Sequence, residues 1–270
     1  MNYDRSYYEV IWSRILQKYR PEDPVRDLGD LFRADIVQRV LRYIFTHTSC
    51  GVLQDYGAGN WLYLPTILDV CEHSGIFPRV DGFDYSQEAL DYGKSRASIQ
   101  GARVDKVHLQ SGDLFEIVAE QEKTTVDLVL SLEVVEHVER DVDLVREFFR
   151  ILRPGGYLVL SVPNKLPFPF SRNFFEYTFF RKSFTEKDVR VGHLRRYTRQ
   201  TIEELMASQG FQVEKYIPYG FLLSDYAKPC IERGGWASSS LRALCFLEQK
   251  MGEWMCGERS EGLFLVCRKP

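Results

Sequence analysis

The chain has no closely spaced pair of cysteines. Its six, Cys50, Cys71, Cys230, Cys245, Cys256 and Cys267, are scattered with no C-x-x-C among them. That argues against a zinc site or a disulfide framework and fits reduced thiols in a cytoplasmic protein. No apolar run nears the roughly 20 residues that cross a bilayer. The start, Met1-Asn2-Tyr3-Asp4-Arg5, lacks the basic-then-apolar pattern of a secretory signal. Neither charge is in excess: 35 Lys and Arg against 38 Asp and Glu leave a net charge of -3. No global field therefore draws the chain to nucleic acid. What remains is 270 residues, 44% hydrophobic and 27% charged, enough to bury a full α/β core with room for extra elements.

Tyr8, Trp12, Ile15, Leu16 and Tyr19 share one helical face, and Pro21 and Pro24 end that helix. A second helix is expected after Asp30, with Phe32, Ile36, Val37, Val40, Leu41 and Ile44 inward. Hydrophobic runs predict strands at about 51–56, 79–84, 106–110, 126–131 and 157–162, with helices between them. Arg153-Pro154-Gly155-Gly156 stops the helix that begins near Asp141. The texture then changes, with eight aromatics among the seventeen residues from Phe168 to Phe184. A helix at about 199–209, a strand at about 211–217, helix-like stretches over 220–258 and a strand at about 261–268 complete the pattern. Strands alternating with helices predict right-handed crossovers and a doubly wound α/β sheet.

Four of the strands end in acidic or glycine-rich tips: Val52-Leu53-Gln54-Asp55-Tyr56-Gly57-Ala58-Gly59, Val80-Asp81-Gly82-Phe83-Asp84, Leu109-Gln110-Ser111-Gly112-Asp113-Leu114 and Val126-Asp127-Leu128-Val129-Leu130-Ser131-Leu132-Glu133. The carboxyl edge of a parallel sheet reads this way, and ligands bind at that edge. Glycines allow close backbone approach, one acid suits a ribose, and another suits an exocyclic amine. In this order and spacing the motifs resemble those of class I S-adenosylmethionine-dependent methyltransferases, from about Leu53 to Asn164, with a further match from Gly192 to Phe211. The resemblance implies a mostly parallel seven-stranded Rossmann-like sheet whose last strand inserts antiparallel.

It also implies roles in binding S-adenosylmethionine. Asp55, two residues before Gly57, would hold the methionine ammonium, directly or through water. Gly57, Ala58 and Gly59 would form the close turn. Asp84 would take the ribose hydroxyls with Tyr85 beside the adenine. Asp113 would accept from the adenine amine, while Leu114 and Leu132 give apolar contact. Trp61 stands where such proteins often have a third glycine. Its ring would crowd the methionine moiety or face the helix packing. Arg33 is open between a solvated helix arginine and a partner of the cofactor carboxylate.

Leu132-Glu133-Val134-Val135-Glu136-His137-Val138 resembles the segment after strand four in ubiquinone-biosynthesis-type methyltransferases. Glu133, Glu136 and His137 would share a face of one helical turn. They suit a divalent metal, a general base at His137, or a structural turn; a metal is possible but not expected. His193, in Gly192-His193-Leu194-Arg195-Arg196-Tyr197-Thr198, is a second candidate base or acceptor ligand, and Thr198 an N-cap. The aromatic block suits the wall of a pocket for an apolar or aromatic small-molecule acceptor, a membrane-surface patch or core under a cap, and the basic residues from Arg181 to Arg199 suit an anionic group on the acceptor or a solvated loop. The expected organisation is a helical cap at 1–47, a cofactor-binding core at 48–164, an acceptor lid at 165–198, and the rest of the core with a helical insertion at 199–270. The expected activity is methyl transfer to a small molecule, at oxygen. The alternative is a catalytically silent relative that binds a partner through its aromatic and basic face. A nicotinamide oxidoreductase fits less well, because the first turn lacks a full G-x-G-x-x-G.

Overall fold

A computed structural model describes residues 10, 12–13, 16–17, 20–23, 28–171, 174, 176, 185–233, 236–255 and 258–270. Seven strands form one sheet: β1 (Val52–Tyr56), β2 (Arg79–Asp84), β3 (Val107–Ser111), β4 (Val126–Leu132), β5 (Leu152–Pro163), β6 (Gln212–Tyr219) and β7 (Gly262–Arg268). Their order is β3-β2-β1-β4-β5-β7-β6. β1 to β5 run parallel, and β7 is antiparallel to both β5 and β6. The helices are α1 (Leu28–His47), α2 (Leu64–Ser74), α3 (Gln87–Ile99), α4 (Leu114–Glu120), α5 (Asp141–Ile151), α6 (Glu186–Val191), α7 (Arg199–Ser208), α8 (Leu222–Arg233) and α9 (Trp236–Met255). The expected fold class is the one observed.

The reason lies in the strands. All seven residues of β4 are buried, as a strand covered on both faces requires. Leu128, Leu130 and Leu132 enter the layer built by α1, α2 and α3, while Val129 enters the layer of α5 and α7, following the two-residue period of a strand. Phe32, Ile36, Leu41 and Ile44 of α1 pack in the same core as Leu53 and Leu128. The chain moves outward from β1 to β3 and then returns to start β4 on the other side of β1. That reversal opens a crevice at the carboxyl ends of β1 and β4, where ligands of such sheets bind. Register brings the tips level, pairing Tyr56 with Phe83, Asp84 with Ser111, and Leu132 with Ser161.

Two details differ from the sequence reading. β5 starts earlier, at Leu152, and crosses an irregularity before regular pairing with β4 resumes at Tyr157; Gly155, at φ 79°, makes that reversal possible. The helix-like 220–258 region is two helices, α8 and α9, packed on each other between β6 and β7. Of the aromatic block, Phe175, Tyr177, Phe179, Phe180 and Phe184 lie outside the described residues. Phe168 stacks edge-on to Phe221, and Phe170 is exposed.

Candidate active site

β1 leads into a turn that only small residues make. Gly57 and Gly59 have φ of 78° and 56°, a region that side chains disfavour. A Cβ on Gly57 would stand 2.3 Å from Val134, and one on Gly59 2.5 Å from the Trp12 ring. The Gly57 and Ala58 amides donate to the Phe83 carbonyl at 2.8 and 3.0 Å, locking the turn to β2. Asp84, at the tip of β2, accepts from the Gly59 amide at 2.9 Å and the Ser86 amide at 3.0 Å. It also accepts from the Trp12 side chain. Burial raises its pKa against the pull of those donors. The carboxylate expected for the ribose is therefore held at the mouth of the turn, with an indole N–H on it.

Tyr85 donates its hydroxyl to Asp113 at 2.7 Å. The other Asp113 oxygen caps α4 by accepting from the Phe115 amide at 2.8 Å. Asp113 is thus a helix N-cap as well as the candidate adenine partner. Ala58, Leu114 and Leu132 are buried beside these groups. Asp55 is also buried and accepts from Trp61 Nε1 at 2.6 Å. Trp61 does not project into the crevice. Its ring is fully buried against Gly82 of β2, and its Cβ lies against Gly93 of α3.

The segment after β4 is strained. Glu133 has φ 58°, uncommon for a residue with a side chain and typical of functional sites. One carboxylate oxygen accepts from Ser161 Oγ and Tyr219 Oη, both at 2.9 Å. The other lies 3.9 Å from Arg33 Nη1. Arg33 is paired with Asp30 and lies 3.4 Å from the Tyr219 hydroxyl, so it is not a solvated helix arginine. Burial works against ionisation of Glu133, but Arg33, His193 and the two hydroxyl donors hold its pKa below the usual value. Glu136 is the converse. It is wholly buried with neither carboxylate oxygen hydrogen-bonded, and burial and the Glu133 charge raise its pKa well above the usual value.

Two imidazoles face that carboxylate. His137 donates from Nδ1 to the Gly192 carbonyl at 3.1 Å, and its Nε2 is 3.9 Å from Glu136 Oε1. His193 donates from Nδ1 to Asp188 Oδ1 at 2.6 Å, and its Nε2 is 3.8 Å from the same Glu136 oxygen. The rings sit 4.9 Å apart. Burial, then the neighbouring His193, pushes the His137 pKa down to about 4. Asp188 accepts from Thr185 Oγ1 at 2.8 Å and from Arg196 Nη2 at 2.7 Å. His193 and Arg196 hold its pKa well below the usual range despite burial.

One ligand atom from each of Glu136, His137 and His193 falls within 4.8 Å of the others. Both Nδ1 atoms are spent on acceptors, and His193 Nε2 presents its lone pair beside a carboxylate whose oxygens accept no hydrogen bond among the described residues. Such a set fits a divalent cation, with the Gly192 carbonyl and Asp188 orienting the rings. Glu133 is not in this set, because its oxygens face Ser161, Tyr219 and Arg33; His193 takes its place. Asp188 and Tyr219 escaped the sequence reading, although Thr185-x-x-Asp188 is legible as a capping box.

Of the basic stretch, Arg195 pairs with Asp141, Arg196 with Asp188 and Arg199 with Glu203. These three are matched by the chain's own carboxylates.

The glycine turn at a sheet switch point, with acids on successive tips, defines a nucleoside-binding α/β class. The methyltransferase domain family matches residues 30–216, and the chain belongs to that family. Its fold is that of the class I S-adenosylmethionine-dependent methyltransferases. A "Probable S-adenosylmethionine-dependent methyltransferase" of Mycolicibacterium smegmatis is 30% identical over 125 residues, 46% of this chain and 43% of that protein. A ubiquinone biosynthesis O-methyltransferase of Burkholderia multivorans is 30% identical over 92 residues, 34% of this chain and 38% of the other. The chain thus spans under half the length of these relatives. A solved geranyl diphosphate methyltransferase in complex with SAM is 15% identical, with a TM-score of 0.56 over 86% of this chain and 85% of that one.

Proposed function

We propose that the chain transfers the methyl group of S-adenosylmethionine to an oxygen of a small-molecule acceptor. The observation that carries this reading is the convergence of His137 Nε2 and His193 Nε2 on Glu136, just beyond the tip of β4. Asp55, Gly57, Ala58, Gly59, Asp84, Tyr85, Asp113, Leu114 and Leu132 would hold the cofactor. The cofactor supplies an electrophilic methyl on a positive sulfur. The chain aligns the acceptor with that bond at about 3 Å and excludes water.

An oxygen acceptor must also lose a proton. His193 is the better-built base: Asp188 fixes its tautomer and would stabilise the imidazolium. His193 Nε2 would take the acceptor's proton, and the bound cofactor would supply the methyl group and keep the sulfur as its leaving group. His137, with its pKa pushed down to about 4, is the weaker base near neutral pH.

A second reading of the same groups is favoured by the Glu136 carboxylate, whose oxygens accept no hydrogen bond among the described residues: Glu136, His137 and His193 would hold a divalent cation, which would supply Lewis acidity toward the acceptor hydroxyl. Labelled-methyl transfer to a panel of phenols and enols tests both readings. Under the base reading, His193→Ala loses about 10²–10⁴ in rate and a chelator does nothing. Under the metal reading, chelation abolishes turnover and a divalent cation restores it. A chain that binds no S-adenosylmethionine by calorimetry would instead be a silent relative that binds a partner.

A further inference from the structure

We propose that Trp61 is a positioning residue of the cofactor site, its indole N–H fixing the Asp55 carboxylate in the orientation that meets the methionine ammonium. This rests on the reading of Asp55 as the ammonium's partner. Four observations converge on it. Trp61 Nε1 donates to Asp55 Oδ2 at 2.6 Å, and both side chains are buried. Trp61 has φ 45°, a left-handed backbone that is unfavourable for a bulky residue. That strain persists only where the surroundings over-determine it, and it clusters at ligand sites. The sheet and α3 also leave space for this residue: a Cβ on Gly82 would stand 2.4 Å from the indole ring, and one on Gly93 2.5 Å from the Trp61 Cβ. A residue that merely filled the core would need neither the strain nor the N–H.

The physical need is plain. A carboxylate without water tends to take up a proton, and a neutral Asp55 cannot pair with an ammonium. Burial raises the Asp55 pKa to about 7, the Trp61 N–H opposes that rise, and the Asp84 charge adds to it. Tyr63 also lies within electrostatic reach of Asp55. The indole is therefore the one neutral donor shown to favour the charged form. Without it Asp55 stays protonated to higher pH, and cofactor affinity fails first on the acid side.

The test is calorimetry with S-adenosylhomocysteine from about pH 6 to pH 9 on wild type, Trp61→Phe, Asp55→Asn and the double variant. The ratio of Trp61→Phe to wild-type dissociation constants cancels any titration of the ligand. It is expected near one at the alkaline end. Toward the acid end it should rise by up to about tenfold for each pKa unit that the donor held. In the Asp55→Asn background the pH-dependent part of the loss should vanish. A measurement on the ligand-free wild type stands beside it: the Trp61 indole proton resonance should move with pH through a midpoint near neutrality and stay fixed in Asp55→Asn. A Trp61→Phe loss that is equal at every pH, or absent, overturns the positioning role while leaving Asp55 in place. Undiminished binding by Asp55→Asn above neutrality overturns the ammonium reading itself.

Discussion

Trp12 occupies the place where a ribose is expected to bind. Its ring lies over Gly59 and its side chain donates to Asp84, the carboxylate assigned to the ribose hydroxyls. Ligand and indole compete for one acceptor, and a hydrogen bond to a charged group is worth about 1.5–3 kcal/mol. Asp84→Ala is expected to weaken S-adenosylhomocysteine binding by that amount. Trp12→Ala is expected to tighten it by about 0.5–1.5 kcal/mol, since the donor need no longer be displaced. Calorimetry on both variants decides. Weaker binding by Trp12→Ala would mean that the indole closes over the bound nucleoside rather than yielding to it. The sequence puts Trp12 on an N-terminal helix with Tyr7 and Tyr8 expected to close over the acceptor opening, but no spacing rule pairs its indole with Asp84.

At the scale of elements, the loop from α6 to α7 is tied down by buried charge. Asp188 gathers His193, Arg196 and Thr185, and Arg196 Nη1 also reaches the Asn164 carbonyl at 2.9 Å. The Leu194 amide donates to the Glu136 carbonyl, the Tyr197 amide to the Pro163 carbonyl, and the Lys165 amide to the Tyr197 carbonyl. This part of the expected 165–198 lid is thus built into the sheet edge. Asp188→Ala removes the carboxylate that faces the buried Arg196 guanidinium, and breaking a buried ion pair costs about 3–5 kcal/mol. Because the folded Asp188 pKa is lowered, its stabilisation is full above the unfolded value of about 3.9 and fades as pH falls below it. Urea unfolding at neutral pH and near pH 3 should show the gap between wild type and Asp188→Asn narrowing in acid. A constant gap would assign the loss to packing.

For the whole molecule, stability resides in the two buried layers about the sheet and not in the solvent face of the outer helices. Leu130 is wholly buried in the α1–α3 layer, whereas Trp254 on α9 is 87% exposed. Leu130→Ala should cost about 2–5 kcal/mol and Trp254→Lys less than about 0.5 kcal/mol, both read from urea midpoints. A large loss at Trp254 would show that its face is covered in solution. By itself the sequence determined the succession of strands and helices in the parallel half, the glycine turn and the acids on the strand tips. Each follows from short-range rules: a two-residue period, left-handed backbone at glycine, and acids at the carboxyl edge. Tertiary structure alone decided what those acids touch. Asp55 meets Trp61 because β2 and α3 give up side chains at Gly82 and Gly93. Glu133 turns to Tyr219 across the sheet, 86 residues away. His193 joins Glu136 and His137 because the α6 loop folds back over the end of β4. Partners so distant leave no local period, and no rule of spacing reveals a buried charge until the chain has closed around it.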